Sequence, residues 1–409
     1  MIIDRDRLWA DVEALARFTR PESPWTRRAF TPEFDAARTW LRAAFAEAGL
    51  TVRLDACANL IGRREGSEPG LPVLMSGSHC DTVPAGGRFD GIAGVLAALA
   101  FARALNASGT ALRHPFEVVD FLSEEPSDYG VSSIGSRAIA GRLSAAHLAM
   151  TDGRGETLAQ AIARAGGDPA ALGEPLRRTG EIAAYVELHI EQGRVLETAN
   201  LPIGVVDRIV GIARHNLVVT GRTDHAGSTP MDARHDALAG AARVISAVES
   251  LAREMTGNPE YVVATVGRIA VSPNAANAVP GRVEMVLDLR AGSDAVLAAF
   301  PERLRARCDL GPLGFEIAPV SLAPATDCAP AVTAAIAAAA DRLGLGRRAL
   351  PSGAGHDAVN AALLAPTGMI FIPCRDGRSH VPEEWSTPEQ LYDGARVLAE
   401  TLFDLDRTL

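Results

Sequence analysis

Glu124 and Glu125 stand side by side just after the apolar run Phe116 to Leu122, where a buried strand should end and deliver both carboxylates to its tip. Adjacent carboxylates repel and are costly to bury, so a chain that places them there needs a cation beside them. Further ligand types occur in four other segments. His79 and Asp81 lie in Ser76-Gly77-Ser78-His79-Cys80-Asp81-Thr82, after an apolar stretch over 71–75, and Asp90 lies in Gly86-Gly87-Arg88-Phe89-Asp90-Gly91. His189 lies in Glu187-Leu188-His189-Ile190-Glu191-Gln192-Gly193, and His380 in Ser379-His380-Val381-Pro382-Glu383-Glu384. Histidines and carboxylates gathered at strand ends are the side chains that hold divalent metals for hydrolytic chemistry.

On type and spacing the candidate ligands are His79, Asp90, Glu125, His189 and His380. Mixed histidine and carboxylate ligation without cysteine suits a catalytic zinc, with manganese or cobalt as the other choices. Asp81, two residues past His79, falls on the same side of an extended segment, where its carboxylate is expected to take the imidazole N–H and fix the tautomer, with Cys80 pointing the other way. All 40 basic residues are arginine. That excludes a Schiff-base lysine, a phosphate-binding P-loop lysine and a carboxylated lysine bridging two metals, and leaves Asp90 as the candidate bridge. On these residues alone, a dinuclear hydrolytic site, a mononuclear one and a structural network of ions all remain open.

The elements that must position these groups alternate in type. Helical periodicity runs over 5–18 and 33–49, the second opened by Thr31-Pro32-Glu33 and closed by Gly49. Strand-like segments fall near 50–64 and 71–77, and residues 91–105 are apolar throughout with two glycines, as in a helix buried against a sheet. This alternation predicts an α/β sheet with ligands at its strand ends. Near residue 209 the pattern shifts to strands at 212–220, 261–270, 281–290 and 314–321 and helices at 233–255 and 294–307, a βαββαβ two-layer unit. The expected organisation is a catalytic domain over 1–210 and 324–409, interrupted by an inserted domain over 211–323. A strand at 369–372 and a helix over 387–403 resume the α/β pattern, and all five candidate ligands lie outside the insert. Residues 142–182, rich in Gly, Ala and Pro, read as a helical excursion.

At 409 residues the chain is long for one core, which favours two domains. A net charge of -10 argues against nucleic acid or an anionic membrane as partner, so a small-molecule substrate is expected. The first residues show no cationic start followed by an apolar stretch, and the five cysteines are scattered, so the expectation is a soluble cytoplasmic protein with reduced thiols.

Taken together, the motifs resemble the dizinc hydantoinase/carbamoylase family, which includes N-carbamoyl-L-amino-acid hydrolases, allantoate amidohydrolases and β-ureidopropionases and is related to aminoacylases and dizinc exopeptidases. The resemblance is carried by GSHCDTVPAGGRFDG (77–91), SEE (123–125), IGSRAIAG (134–141), ELHIEQG (187–193), DHAGSTPMDARHDAL (224–238), PNAANAVPG (273–281), LDLR (287–290), SGAGHDA (352–358) and RDGRSHVPEEW (375–385). It implies a dizinc exopeptidase-like catalytic domain whose insert serves as dimerisation surface and lid. It further implies two divalent ions per chain, one held by His79, Asp90 and His189, the other by Asp90, Glu125 and His380. Glu124 would be the general base, taking the proton of the attacking water. His225 would reach across a homodimer to the scissile carbonyl, Asn277 and Arg290 would bind a substrate carboxylate, and Gln192 with the turn from Gly353 through Gly355 to His356 would complete the cradle. Arg214 also matches a family arginine, while His114, His147, His215 and His235 match no motif role.

The implied activity is hydrolysis of a linear C–N bond, foremost the ureido bond of an N-carbamoyl-L-amino acid. Allantoate hydrolysis, aminoacylase or dipeptidase activity on the same centre, and a non-catalytic metal-binding protein are the alternatives. The chain departs from the family after the paired glutamates, where Pro126-Ser127-Asp128-Tyr129-Gly130 replaces a Gly followed by an Arg-Phe pair. That puts an acid where a base is common.

Overall fold

The computed structural model describes residues 2–257 and 260–409. Two compact units result, one built from the chain up to Asp207 together with Cys328–Leu409, the other from Arg208–Asp327.

In the first unit the sheet runs, in spatial order, through Thr51–Leu54, Leu60–Arg64, Phe116–Phe121, Val73–His79, Ile182–Ile190, Thr367–Ile372 and Ile203–Ile209. The four central strands, from Phe116–Phe121 to Thr367–Ile372, are mutually parallel and the flanking ones antiparallel. Strands covered on both faces must be apolar along their length, and Val73–His79 and Phe116–Phe121 are buried at every position. The single strand-like stretch expected at 50–64 is a hairpin, broken where Asp55 Oδ1 accepts the N–H groups of Cys57 and Asn59.

Helix Ile92–Ser108 packs on the central strands. Gly94 lets it approach, because a Cβ there would strike the Leu188 carbonyl and the Ser78 side chain. Phe101 on this helix meets Phe116 of the sheet edge-on at 5.1 Å and Phe403 of the last helix at 5.4 Å, contacts worth about 0.5–1.5 kcal/mol each beyond their buried area. That last helix, Pro388–Thr408, opens with Thr387 and Gln390 in a capping box. The excursion over 142–182 holds the short helices Ala145–Leu148 and Leu158–Arg164.

The second unit is a four-stranded antiparallel sheet ordered Gly314–Ala323, Gly211–Thr220, Arg282–Ala291, Val262–Ser272. Burial alternates along Gly211–Thr220 and Arg282–Ala291, so one face carries Leu217, Val219, Met285, Leu287 and Leu289. Helices Ala237–Met255 and Asp294–Arg307 cover that face with Val244, Val248, Phe300 and Leu304. The βαββαβ order is as expected. The unit extends beyond 211–323 at both ends, where Ile209 pairs with Thr326 and Arg208 with Asp327. No helix among the described residues is long and apolar enough to cross a membrane.

Candidate active site

Parallel strands align their C-terminal ends, and this alignment gathers the ligand types. His79 is the last residue of its strand, Glu124 and Glu125 follow Phe116–Phe121, and His189 is the penultimate residue of Ile182–Ile190. Asp90 precedes helix Ile92–Ser108. His380 differs: it lies in a loop well past the end of Thr367–Ile372, with a left-handed backbone (φ 59°).

Two groups of potential ligand atoms form. Those of His79, Asp90 and His189 all lie within 4.8 Å of one another, as do those of Asp90, Glu125 and His380. Asp90 belongs to both: its Oδ1 is 3.3 Å from His189 Nε2 and 3.6 Å from His79 Nε2, and its Oδ2 is 3.3 Å from His380 Nε2. His380 Nε2 is also 3.2 Å from Glu125 Oε1. A third group, Glu187, His189 and His356, shares His189. In it Glu187 already accepts from Ser78 and Tyr185 hydroxyls and the Ala358 N–H, and His356 Nε2 lies 2.8 Å from Ser352 Oγ.

The tautomers are set locally. His189 Nδ1 is 2.9 Å from the Ile190 carbonyl, which makes it the N–H and leaves Nε2 facing Asp90 and the Gly91 N–H at 3.1 Å. His79 Nδ1 is 3.1 Å from the Asp81 carbonyl oxygen. The Asp81 carboxylate, expected to take that N–H, stands 3.5 Å from Nδ1 and also accepts the backbone N–H groups of Glu124 at 3.1 Å and Glu125 at 3.2 Å. Buried Arg27 donates to the Cys80 carbonyl at 2.7 Å and to the carbonyls of Leu15 and Phe18, which fastens the same loop from beneath.

Burial and carboxylate crowding dominate the electrostatics. Burial, with Glu125, Asp81 and Asp90 nearby, pushes the Glu124 carboxyl up to about 8 against the pull of His79. Burial would also raise Asp90, but His189, His380 and His79 hold it well below the usual carboxylate range. Hydrogen bonds to Asp90 and Glu125 push His380 up to about 11.

Gln192, expected in the substrate cradle, turns its amide nitrogen to Asp90 Oδ2 at 2.6 Å, while its Oε1 is buried with no hydrogen-bond partner among the described residues. Gly355 is exposed, and a Cβ there would meet nothing. His225, Asn277 and Arg290 belong to the inserted unit. His225 is exposed and its Nδ1 accepts the N–H groups of Gly227 and Ser228, which leaves Nε2 as the N–H. Asn277 lies beside it, its carbonyl accepting the Ala226 N–H. Arg290 Nε meets Asp288 Oδ1 at 2.9 Å, and Asp288 Oδ2 meets Arg214 Nε at 3.1 Å, so Arg214 shares its acid with Arg290.

The departure at 126–130 is internally compensated. Asp128 pairs with Arg28 at 2.6 Å, and Tyr129 donates to Glu156 at 2.6 Å. Among the other histidines, His114 bonds the Pro72 carbonyl and His147 closes a capping box.

The fold and this cluster belong to a recognisable class: the chain is a member of peptidase family M20/M25/M40, whose model matches residues 75–404. It is 39% identical to an N-carbamoyl-L-amino-acid amidohydrolase of Paenarthrobacter aurescens (98% of each chain) and 41% identical to one of Geobacillus stearothermophilus (99% of each). It is 35% identical to a ureidoglycolate hydrolase of Arabidopsis thaliana, over 98% of this chain and 87% of that one. A solved hydantoinase/carbamoylase family amidase from Burkholderia multivorans superposes with a TM-score of 0.91 at 36% identity, covering 98% of both chains.

Proposed function

We propose that the chain is an amidohydrolase that cleaves the ureido C–N bond of an N-carbamoyl-L-amino acid, releasing the amino acid, ammonia and carbon dioxide. It is a metal-dependent hydrolase of linear, non-peptide C–N bonds, in keeping with the relatives named above. The observation that carries the reading is the Asp90 carboxylate, with His189 near one oxygen and His380 near the other.

The donor set fits a pair of divalent ions. Asp90 and Glu125 are buried, Glu124 is half-buried beside them, and histidines are their basic partners, a set that suits zinc first and manganese or cobalt next. His79, Asp90 and His189 would hold one ion, and Asp90, Glu125 and His380 the other. Bound there, the ions would lower the pKa of water and polarise the carbonyl.

The protein's own groups do the remaining work. As a carboxylate, Glu124 accepts the proton of the attacking water and passes it to the leaving nitrogen. His225 donates its Nε2–H to the developing oxyanion. Arg290 and Asn277 take the substrate carboxylate, where a guanidinium suits a carboxylate partner. The unpartnered Gln192 Oε1 takes a ureido N–H, and Gly355 and His356 bound the remaining space. The inserted unit acts as lid and as the surface of a homodimer, with His225 supplied to the partner's centre. We place the enzyme in the cytoplasm, where buried thiols such as Cys57 and Cys80 stay reduced.

The test is ammonia release from N-carbamoyl amino acids, ureidoglycolate, allantoate and N-acetyl amino acids by chelator-stripped protein with zinc, manganese or cobalt restored. Metal-dependent release from the carbamoyl compounds is expected. Turnover confined to ureidoglycolate, allantoate or N-acetyl substrates would overturn the substrate class.

A further inference from the structure

One buried carboxylate braces the cluster without being among its ligands. Glu384 is 1% exposed; its Oε1 accepts the N–H groups of Phe89 at 2.8 Å and Asp90 at 3.1 Å. Its Oε2 lies 2.7 Å from Ser379 Oγ, and that hydroxyl lies 2.7 Å from Asp90 Oδ2. Room is made for it, since a Cβ on Gly87 would run into the Glu384 carboxylate.

These contacts join two loops far apart in sequence. Glu384 fixes the backbone that presents Asp90, and Ser379 fixes the Asp90 oxygen that faces His380, the residue next to it. The His380 loop is closed on itself by Glu384 N–H to the Val381 carbonyl and Arg375 N–H to the Trp385 carbonyl. His380 has a left-handed backbone, a conformation that a side-chain-bearing residue keeps only where its surroundings enforce it.

We infer that Glu384 and Ser379 are positioning residues that lock Asp90 Oδ2 against His380 and so set the Asp90, Glu125 and His380 half of the centre. The His79, Asp90 and His189 half uses the other oxygen, Oδ1, which Ser379 does not touch, so loss of the Ser379 hydroxyl spares it. This inference rests on the two-ion reading above. Groups that hold a ligand in place typically change metal affinity about 10- to 100-fold when removed.

The experiment is stepwise cobalt titration of the full-length, chelator-stripped protein, followed by its absorption spectrum and by bound-metal stoichiometry. Wild type takes up two ions. Ser379→Ala weakens one ion about 10- to 100-fold and leaves the other, Glu384→Ala, which also frees the Asp90 backbone, weakens that ion at least as much, and Glu384→Gln, which keeps an oxygen for the two N–H groups, recovers most of the loss. Ser379→Ala binding two ions with wild-type affinity, or losing both in parallel while folded by circular dichroism, overturns the inference alone. If Glu384→Ala does not fold, Ser379→Ala, which removes one hydroxyl, decides it. Wild type taking up fewer than two ions overturns the two-ion reading, and the inference with it.

Discussion

The carboxylate of Asp81 accepts the backbone N–H of Glu124 at 3.1 Å, so the residue two places past His79 also anchors the tip of the neighbouring strand. Its second oxygen holds Glu125 in the same way. One buried acid thereby ties the segment bearing His79 to the segment bearing the paired glutamates. Asp81→Ala should destabilise the protein by about 2–4 kcal/mol, because two buried N–H groups lose a charged acceptor, and should weaken metal binding about 10- to 100-fold. Urea unfolding and zinc titration measure the two effects. Wild-type metal affinity in that variant would show that the tie is dispensable.

Glu124→Gln should retain its metals and lose about 10²- to 10⁴-fold in turnover, since the amide cannot accept the proton. Ammonia release and bound-metal analysis of the same sample separate the two. A variant that keeps most of its rate is incompatible with Glu124 as base.

Removing metal should cost stability. A ligand that binds only the folded chain adds about 2.7 kcal/mol when present at 100 times its Kd, and each kcal/mol moves Tm by roughly 2–4 °C in domains of 150–250 residues. Thermal scans with chelator and with zinc should differ by several degrees. Identical midpoints would count against ions at the Asp90 cluster.

His225→Ala should lower kcat about 10²- to 10³-fold and leave metal affinity unchanged, because the donor it removes acts on the reacting oxygen. If each chain lends His225 to its partner, subunit exchange between His225→Ala and Glu124→Gln proteins should restore activity, since a hybrid dimer rebuilds one whole site. Failure to regain activity in verified hybrids would confine each site to a single chain.

Much of this was legible in the sequence for specific reasons. Apolar runs ending in His79, Glu124 and His189 announce buried parallel strands, and strand ends are where such folds hold ligands. The shift of pattern near residue 209 likewise marks the order of strands and helices in the insert. Two kinds of information were not legible. Local spacing places Asp81 beside His79, where its carboxylate lies 3.5 Å from Nδ1, but its hold on the N–H groups of Glu124 and Glu125, past the end of the neighbouring strand, is set by sheet order. Glu384 carried a signal, standing in a second pair of adjacent acids beside His380, but nothing local tells that Gly87 leaves room for its carboxylate. The Asp128 departure suggested altered charge, and only the fold brings Arg28 to neutralise it.

The pairing of Ile209 with Thr326 and Arg208 with Asp327, continued by the Cys328 N–H on the Asp207 carbonyl, brings the points where the chain leaves and re-enters the larger unit within one hydrogen bond of each other. A segment whose two ends meet in this way is modular. It can be gained, exchanged or replaced by a short turn without rethreading the sheet that carries His79 and His189.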